Sequence, residues 1–550
     1  MKNNFENYRN RAQESTAAIE RIYITMRHLF IRGFYKPMGV SGKTLRESLL
    51  TLRPEIYGSI AESKVELNGL LYVMERLPLG IEQCRYINLT SDEGYASSHF
   101  KAIIPQKRRR NCYRIDEEQM NIEITRGRSD IYDILTHLTF LIIESHKIME
   151  NVIIEEEKNL TRDWNKLKQI VKKPELSEKE KEVAITHVAN ILGRTFFEVN
   201  AVYEKFATPH NKHRFLKIIY YLGKLALDEF VDNKKRVITF SPVLRERLGH
   251  HIHGEIWANT IKSTLKQKGL LSRELHIISA NMHSVMNTLY AKTALKAFCK
   301  EKSNLEIYEA LSDSSNQNLR DKVAQYASKN GMTYIKDTSG TNIDVQIFDL
   351  SKFKSQNDQP VIIVMDYAFG EQAYETMDEL LKPFNTGSNQ PKYLNIDSIS
   401  IMGKAGILEG AKGDIMIPKA HLFEGTADNY PFTNELKISD IENNGLEVFG
   451  GTMVTVLGTS LQNRDLLKFF HDSTWDVIGL EMEGAHYQKA IQAAARLRGN
   501  IKPDIKVRYA YYASDNPLET GSTLASGGLG TSGVKPTYLI TEKILGQIQQ

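Results

Sequence analysis

The hydrophobic pattern changes character part-way along the chain. In residues 19–34 (IERIYITMRHLFIRGF), 131–148 (IYDILTHLTFLIIESHKI) and 214–230 (RFLKIIYYLGKLALDEF), apolar positions recur at steps of three and four. That spacing lines one face of a helix, and the stripe needs a partner surface, so these segments predict helices packed on one another. The run 174–181 (PELSEKEK) reads as a polar connection into a further helix start. Near residue 270 the texture shifts. Short apolar runs at 275–280, 343–350, 361–365, 396–402, 414–417, 447–457, 477–480 and 505–513 alternate with helical patterns and glycine-bearing turns. This alternation predicts an α/β layer structure with a central sheet flanked by helices. The run 447–457 is long and follows no readable crossover helix, so an antiparallel pairing is expected there. The chain therefore divides into a mainly α-helical region, 1–270, and an α/β domain, 271–550, with a subdivision near 355.

Length agrees with this division, because 550 residues exceed one ordinary domain. The 41% hydrophobic and 25% charged content is that of a globular protein, and no uninterrupted run of about 18 apolar residues predicts a membrane span. The opening MKNNFENYRNRAQEST lacks the apolar core of a secretory signal. Cys84, Cys112 and Cys299 are odd in number and far apart, which suits a reducing cytoplasm and excludes a disulfide framework or a paired-cysteine metal knuckle. A net charge of +4 names no nucleic-acid partner. The dense basic run Lys107-Arg108-Arg109-Arg110 reads as a solvated loop, with an RNA or nucleotide phosphate footprint as its alternative.

Four segments carry the candidate chemistry, each an apolar strand running into a polar or glycine-rich turn. They are 361–371 (VIIVMDYAFGE), 399–414 (ISIMGKAGILEGAKGD), 477–485 (VIGLEMEGA) and 509–517 (YAYYASDNP). In α/β sheets ligands sit where strands end, so these turns are candidate site edges.

Their order, GxAG with GD following, then EMEGA, then SDN, resembles the purine nucleoside phosphorylase and uridine phosphorylase superfamily. Gly403-Lys404-Ala405-Gly406 and Gly413-Asp414 look like its glycine turn and next strand. Glu481-Met482-Glu483-Gly484-Ala485 is similar to its ribose-binding segment, and Ser514-Asp515-Asn516 to the segment holding its catalytic aspartate. The segments 458–464, with Asn463 and Arg464, and 514–518 also resemble AMP nucleosidases. The likeness spans residues 360–518 and implies a nucleoside phosphorylase-like α/β fold that breaks the bond between a ribose and its base. It implies that Asp515 protonates the departing base, that Glu483 grips the sugar hydroxyls and that Met482 lies against the sugar, with Glu481, Ser514 and Asn516 beside them. A carboxyl acts as an acid at neutral pH only when burial or a like charge raises its pKa.

The attacking group separates phosphorylases from hydrolases. Phosphorylases of the superfamily carry a glycine-and-arginine loop after the first strand. Taking 361–365 as that strand, residues 366–371 hold two acids and no arginine. Negative charge repels phosphate and can take a proton from water. The methylthioadenosine nucleosidases are similar in placing a glutamate here, which implies hydrolysis with Glu371 as base. The alternatives are phosphorolysis in the same fold, or a protein that binds a nucleotide or RNA without turnover. For a 5′-phosphate, Lys404, Arg464 and His421 are the cationic candidates, and 521–533 (GSTLASGGLGTSG) is either a closing or a surface loop. No metal or organic cofactor is expected. The expected partners are a small-molecule nucleoside or nucleotide and further copies of the chain, with no nucleic acid or membrane.

Each residue type also has a structural use. Glu481 and Glu483 suit a helix N-terminus, and Asp515-Asn516-Pro517 suits a turn. The patch His250, His251, His253 and Glu255 lacks a distant ligand pair and reads as packed or surface histidines.

Overall fold

The computed structural model describes residues 2–108, 110–154, 159–354, 359–385, 390–426, 428–441, 444–519 and 530–550. The chain forms two compact units. One comprises Met1–Ile124, Asp130–Gly249 and Ser460–Leu466, and the other Thr125–Ser129, His250–Thr459 and Leu467–Gln550.

The predicted stripes of the first unit are helical. In Lys2–Arg32 the residues Ile19, Ile22, Met26 and Leu29 are buried at steps of three and four. Residues 131–148 lie in the helix Arg128–Val152, and 214–230 in Arg214–Val231. The helix Glu178–Leu192 starts at Ser177 through a capping box with Glu180, at the polar connection read as a helix start. The helical reading omitted a six-stranded sheet in the order 34–35, 237–240, 86–90, 119–123, 112–114, 102–103. These strands are two to five residues long, too short for an alternating pattern to stand out.

Of the basic run, Lys107 is exposed as the solvated-loop reading expects, whereas Arg108 and Arg110 are not. Arg110 is 3% exposed, and its guanidinium donates to Asp130 at 2.7 Å and to Asp133 at 2.5 Å. Arg108 makes a two-pronged contact with Asp133 at 3.1 and 3.2 Å. Guanidinium groups committed to buried carboxylates leave little charge for a phosphate backbone. Arg109 lies outside the described residues, as does most of the glycine-rich segment 521–533.

Among the described residues, the second unit has ten strands: β1 Leu275–Ser279, β2 Met332–Ile335, β3 Val345–Asp349, β4 Val361–Met365, β5 Ile396–Ile407, β6 Ile415–Phe423, β7 Asn429–Pro431, β8 Val448–Thr455, β9 Val477–Glu481 and β10 Lys506–Asp515. Their order is β2-β3-β4-β1-β5-β9-β8-β6-β7, with β10 paired to both β5 and β6. The pairings β5-β9-β8-β6-β10-β5 therefore close a five-stranded ring at one end of the sheet. Strand β8, expected to be antiparallel, is parallel to both its neighbours. The helix before it, Ile438–Ile441, has only four residues and leaves no readable period. Antiparallel pairing occurs instead at β2-β3, β3-β4, β5-β9, β6-β7 and β6-β10.

Strands β1 and β4 are buried along their whole length, as expected for apolar runs covered on both faces. Five helices matter for the covering layers: α1 Ile252–Gln267, α2 Met282–Ala294, α3 Gln372–Leu381, α4 Gly484–Gln492 and α5 Val534–Ile548. Ile277 and Ile363 point to one core with Trp257, Met377 and Ala490 of α1, α3 and α4. Ile278, Ile362 and Val364 point to the other, with Val285 of α2 and Ile544 of α5. Alternate side chains thus feed opposite layers.

At Gly479 in β9, an added Cβ would lie 2.5 Å from Met416 Sδ and 2.6 Å from the Gly406 carbonyl oxygen. Since Gly406 O is backbone, relief requires strand movement. Gly479→Ala is therefore expected to destabilise the second unit by about 1–3 kcal/mol, read as a lower denaturant midpoint.

Candidate active site

Strands β1, β4, β5 and β10 run parallel, so their carboxyl ends share one edge of the sheet. Gly406 of β5 pairs with Leu480 of β9 on one side and Asp515 of β10 on the other. Three of the four motif segments therefore meet in one row of the ring. The fourth joins through a hydrogen bond, with the Gly370 N–H donating to Glu483 Oε1 at 2.8 Å. Gly370 has φ of +56°, and an added Cβ would lie 2.3 Å from Ser129 Oγ, so this tight turn favours glycine.

Asp515 ends β10 and is 3% exposed. Its Oδ1 lies 2.5 Å from Ser514 Oγ, which is also 3.1 Å from the Ala405 carbonyl oxygen. Among the described residues, the buried Asp515 Oδ2 has no hydrogen-bond partner. Burial pushes this carboxyl above its usual range, against the Ser514 contact and the charges of Lys412 and Lys404.

Glu483 is half-buried, and burial together with the Glu481 charge pushes it up to about 8, with Lys404 opposing. Lys404 is exposed and interacts electrostatically with both Glu483 and Asp515. The Met482 methyl lies 3.8 Å from the point where a Gly370 Cβ would stand. Gly403 faces Tyr367, whose Cε1 would be 3.5 Å from an added Cβ.

Other predicted residues have structural duties. Glu481 Oε2 accepts from the backbone N–H groups of Glu483 and Gly484, and its Oε1 from the Thr455 hydroxyl. Its carboxyl is folded onto the start of α4, and burial pushes it up to about 7. Asn516 holds the turn, donating to Gly410 O at 3.0 Å and accepting from the Leu518 N–H at 3.0 Å. Asn463 and Arg464 fall in the first unit. There Asn463 Oδ1 accepts from the Asp465 N–H at 2.8 Å and its amide donates to Leu52 O, while the Arg464 N–H meets Glu55. His421, 0% exposed, stacks on Phe432 and lies 3.1 Å from the Tyr511 hydroxyl; burial lowers it to about 3, so it is neutral and offers a phosphate no charge.

The loop 366–371 differs most from expectation. It does not follow the first strand of this unit, which is β1; residues 281–284 (Asn-Met-His-Ser) do, and they contain no carboxylate. Nor does the loop stand without arginine. The segment 125–129 brings Arg128 Nη1 to 3.1 Å from Glu371 Oε1, and the Arg126 guanidinium to 4.9 Å from the Phe369 ring centroid. The Ser129 hydroxyl accepts from the Glu371 N–H at 2.8 Å. Sequence reasoning missed these residues because they lie more than two hundred positions away and carry no periodic or motif signal.

A family model described as a family of unknown function, DUF6909, matches residues 43–309 and 305–550. The chain belongs to family DUF6909. The comparison with curated proteins gave no match. This DUF6909 chain is similar to the solved 5′-methylthioadenosine/S-adenosyl homocysteine nucleosidase of Campylobacter jejuni, at 11% identity over 50% of this chain and 99% of that one, TM-score 0.32. It is similar to the futalosine hydrolase of Helicobacter pylori strain 26695, at 12% identity over 50% and 99%, TM-score 0.30. It is also similar to the purine nucleoside phosphorylase of Schistosoma mansoni, at 12% identity over 54% and 97%, TM-score 0.32.

Among the described residues of this DUF6909 chain, two groups are close enough to share a metal ion: His251, Asp378 and Glu379, and Glu274, His276 and Asp397. Three of their four acids already face cations. Asp378 pairs with Arg498 at 2.5 Å and Glu379 with Lys382 at 2.5 Å, while Asp397 meets Lys502 and Lys506 at 2.9 and 3.0 Å. Neither set fits a divalent ion without displacing them.

Glu375, one turn into α3, is 4% exposed, and its Oε1 has no partner among the described residues. Burial and the charge of Glu371 push it up to about 8. A carboxyl raised in the folded state stabilises that state fully below its ordinary pKa of 4.5, and the contribution is lost as pH climbs through about 8. Glu375→Gln is therefore expected to reduce the loss of thermal stability between about pH 6 and pH 9 by an amount on the order of 1–3 kcal/mol.

Proposed function

We propose that the second unit cleaves the N-glycosidic bond of a purine nucleoside or nucleotide. The observation that carries this reading is the buried, partnerless Oδ2 of Asp515, in the same sheet row as Gly406 and beside the segment that bears Glu483. As the C1′–N bond breaks, its electron pair leaves with the base and positive charge grows on the sugar. The Asp515 proton passes to the base, at N7 for a purine, so the leaving group departs neutral. Glu483 accepts from the sugar hydroxyls, and Met482 packs against the ring. In hydrolysis, water oxygen bonds to C1′ and gives up a proton, which restores the acid overall. The products are free base and ribose, or ribose 5-phosphate from a nucleotide.

Hydrolysis with Glu371 as base requires that carboxylate to leave Arg128, because the ion pair offsets the charge that would draw a proton from water. The two arginines at this loop favour a second reading, phosphorolysis, in which inorganic phosphate replaces Glu371 as the partner of Arg128. The AMP nucleosidase-like reading also carries a cytoplasmic homo-oligomer, with the helical region 1–270 serving assembly or regulation. Incubating the full chain with AMP, adenosine, inosine and methylthioadenosine, with and without phosphate, separates these readings. Base release without phosphate supports hydrolysis, and base release only with phosphate supports phosphorolysis. No release from any of the four under either condition contradicts both.

A further inference from the structure

Arg508 of β10 is buried, 3% exposed, without a counterion in contact. Among the described residues its side chain makes one hydrogen bond, from Nε to Gln547 Oε1 of α5 at 2.7 Å, and its buried Nη1 has no partner. No carboxylate among the described residues forms an ion pair with it. Asp397 and Glu435 act on it through their charge alone. Asp397 is held by Lys502 and Lys506, and Glu435 is exposed. A guanidinium keeps its charge even when buried, so the cost of desolvation stands here without the close attraction that normally offsets it.

A second unsatisfied group stands beside it. Ser400 of β5 is the register partner of Arg508, so both side chains leave the same face of the sheet. Ser400 is 0% exposed, and its hydroxyl has no partner among the described residues. The next residues along that face, Met402 and Ala510, join the core with Ile544 of α5, which places the pair in the apolar layer under this helix. One step back along β5 the polar groups are already committed. Ser398 Oγ lies 2.7 Å from His276 Nδ1, and His276 Nε2 lies 3.2 Å from Glu274. Buried polar atoms left unpaired are costly. The guanidinium N–H groups and the hydroxyl can both donate, and the charge left over is a single positive one. That combination calls for one monovalent anion, since a doubly charged oxyanion brings more charge and more acceptor oxygens than these donors match.

We propose that a single monovalent anion of chloride's size binds between Arg508 and Ser400 and ties β5 to β10 beneath α5. The ion accepts from Arg508 Nη1 and the Ser400 hydroxyl and neutralises the guanidinium. Ser400 and Arg508 precede Gly406 and Asp515 on the same two parallel strands, so this site lies away from the edge that carries the candidate active site. The proposal is independent of the glycosidase reading, and its test needs no turnover.

Thermal melts of the full chain are measured in sodium chloride and in sodium gluconate of equal ionic strength, for wild type, Arg508→Gln and Ser400→Ala. An ion that binds only the folded chain raises the melting temperature by mass action. Wild type is expected to melt roughly 2–5 °C higher in chloride once the salt reaches about ten times its dissociation constant. Arg508→Gln should lose that difference, and Ser400→Ala should need about tenfold or more chloride to reach half of it. Wild-type crystals soaked in sodium bromide should show an anomalous peak in contact with Arg508 Nη1 and Ser400 Oγ. If Arg508→Gln does not fold, Ser400→Ala and the bromide peak decide the matter. Equal melting of wild type in the two salts overturns the proposal. So does a chloride effect of unchanged size and midpoint in every variant that folds, or a bromide-soaked crystal with no anomalous peak at this position.

Discussion

Asp515→Asn is expected to lower base release by about two to four orders of magnitude with the fold intact. Asparagine preserves the shape and leaves Ser514 and Ala405 close by, but it has no carboxyl proton to pass to the leaving base. The variant should also change the pH profile. Burial raises the Asp515 carboxyl, so activity that needs its protonated form is full below that raised value and falls as pH climbs through it. Removing the carboxyl should erase this limb along with most of the rate. Parallel circular dichroism and thermal melts separate lost chemistry from lost structure, since replacing a buried acid by its neutral isostere does not cost folded-state stability at high pH.

The second large effect is expected at Glu483. Each hydrogen bond from a sugar hydroxyl to the ionised carboxyl is worth about 1.5–3 kcal/mol, so above about pH 8, where Glu483 is ionised, Glu483→Gln should lower kcat/KM by roughly one to two orders of magnitude per bond lost. Substrate comparison makes this specific to the sugar. Wild type should prefer the ribonucleoside over its 2′-deoxy analogue, and the preference should narrow sharply in Glu483→Gln. Unchanged discrimination would mean that Glu483 serves only to hold Gly370 across the 2.8 Å hydrogen bond. Glutamine can still accept from that N–H, so the substitution leaves the turn its partner.

The parts of this architecture legible in the sequence were those with local signatures. Continuous apolar runs announced β1 and β4 because both faces of these strands are buried. The motif segments at 403–406, 481–485 and 514–516 stood out because each couples a strand end to glycine or an acid, and the sheet register brings them into one row. Long-range arrangements were less legible. Nothing near Glu371 announces Arg128, because the two meet through tertiary folding alone. The loop 366–371 read as following the first strand although the apolar run at 275–280, which forms β1, precedes it in the chain; the glutamate drew the assignment, not the strand count. Short elements escaped for a different reason. Strands of two to five residues in the first unit and a four-residue helix before β8 do not complete enough periods to register. Glu481 shows a motif residue turned to structural use, since its carboxyl is occupied by backbone N–H groups at the start of α4.

The placement of a nucleoside among these residues is the claim on which the account turns, and diffraction tests it directly. Crystals of Asp515→Asn soaked with the best-cleaved nucleoside are predicted to show the sugar hydroxyls within hydrogen-bond distance of Glu483, Met482 against the ring and the base facing position 515. A nucleoside bound with its glycosidic bond remote from both 483 and 515 would contradict it.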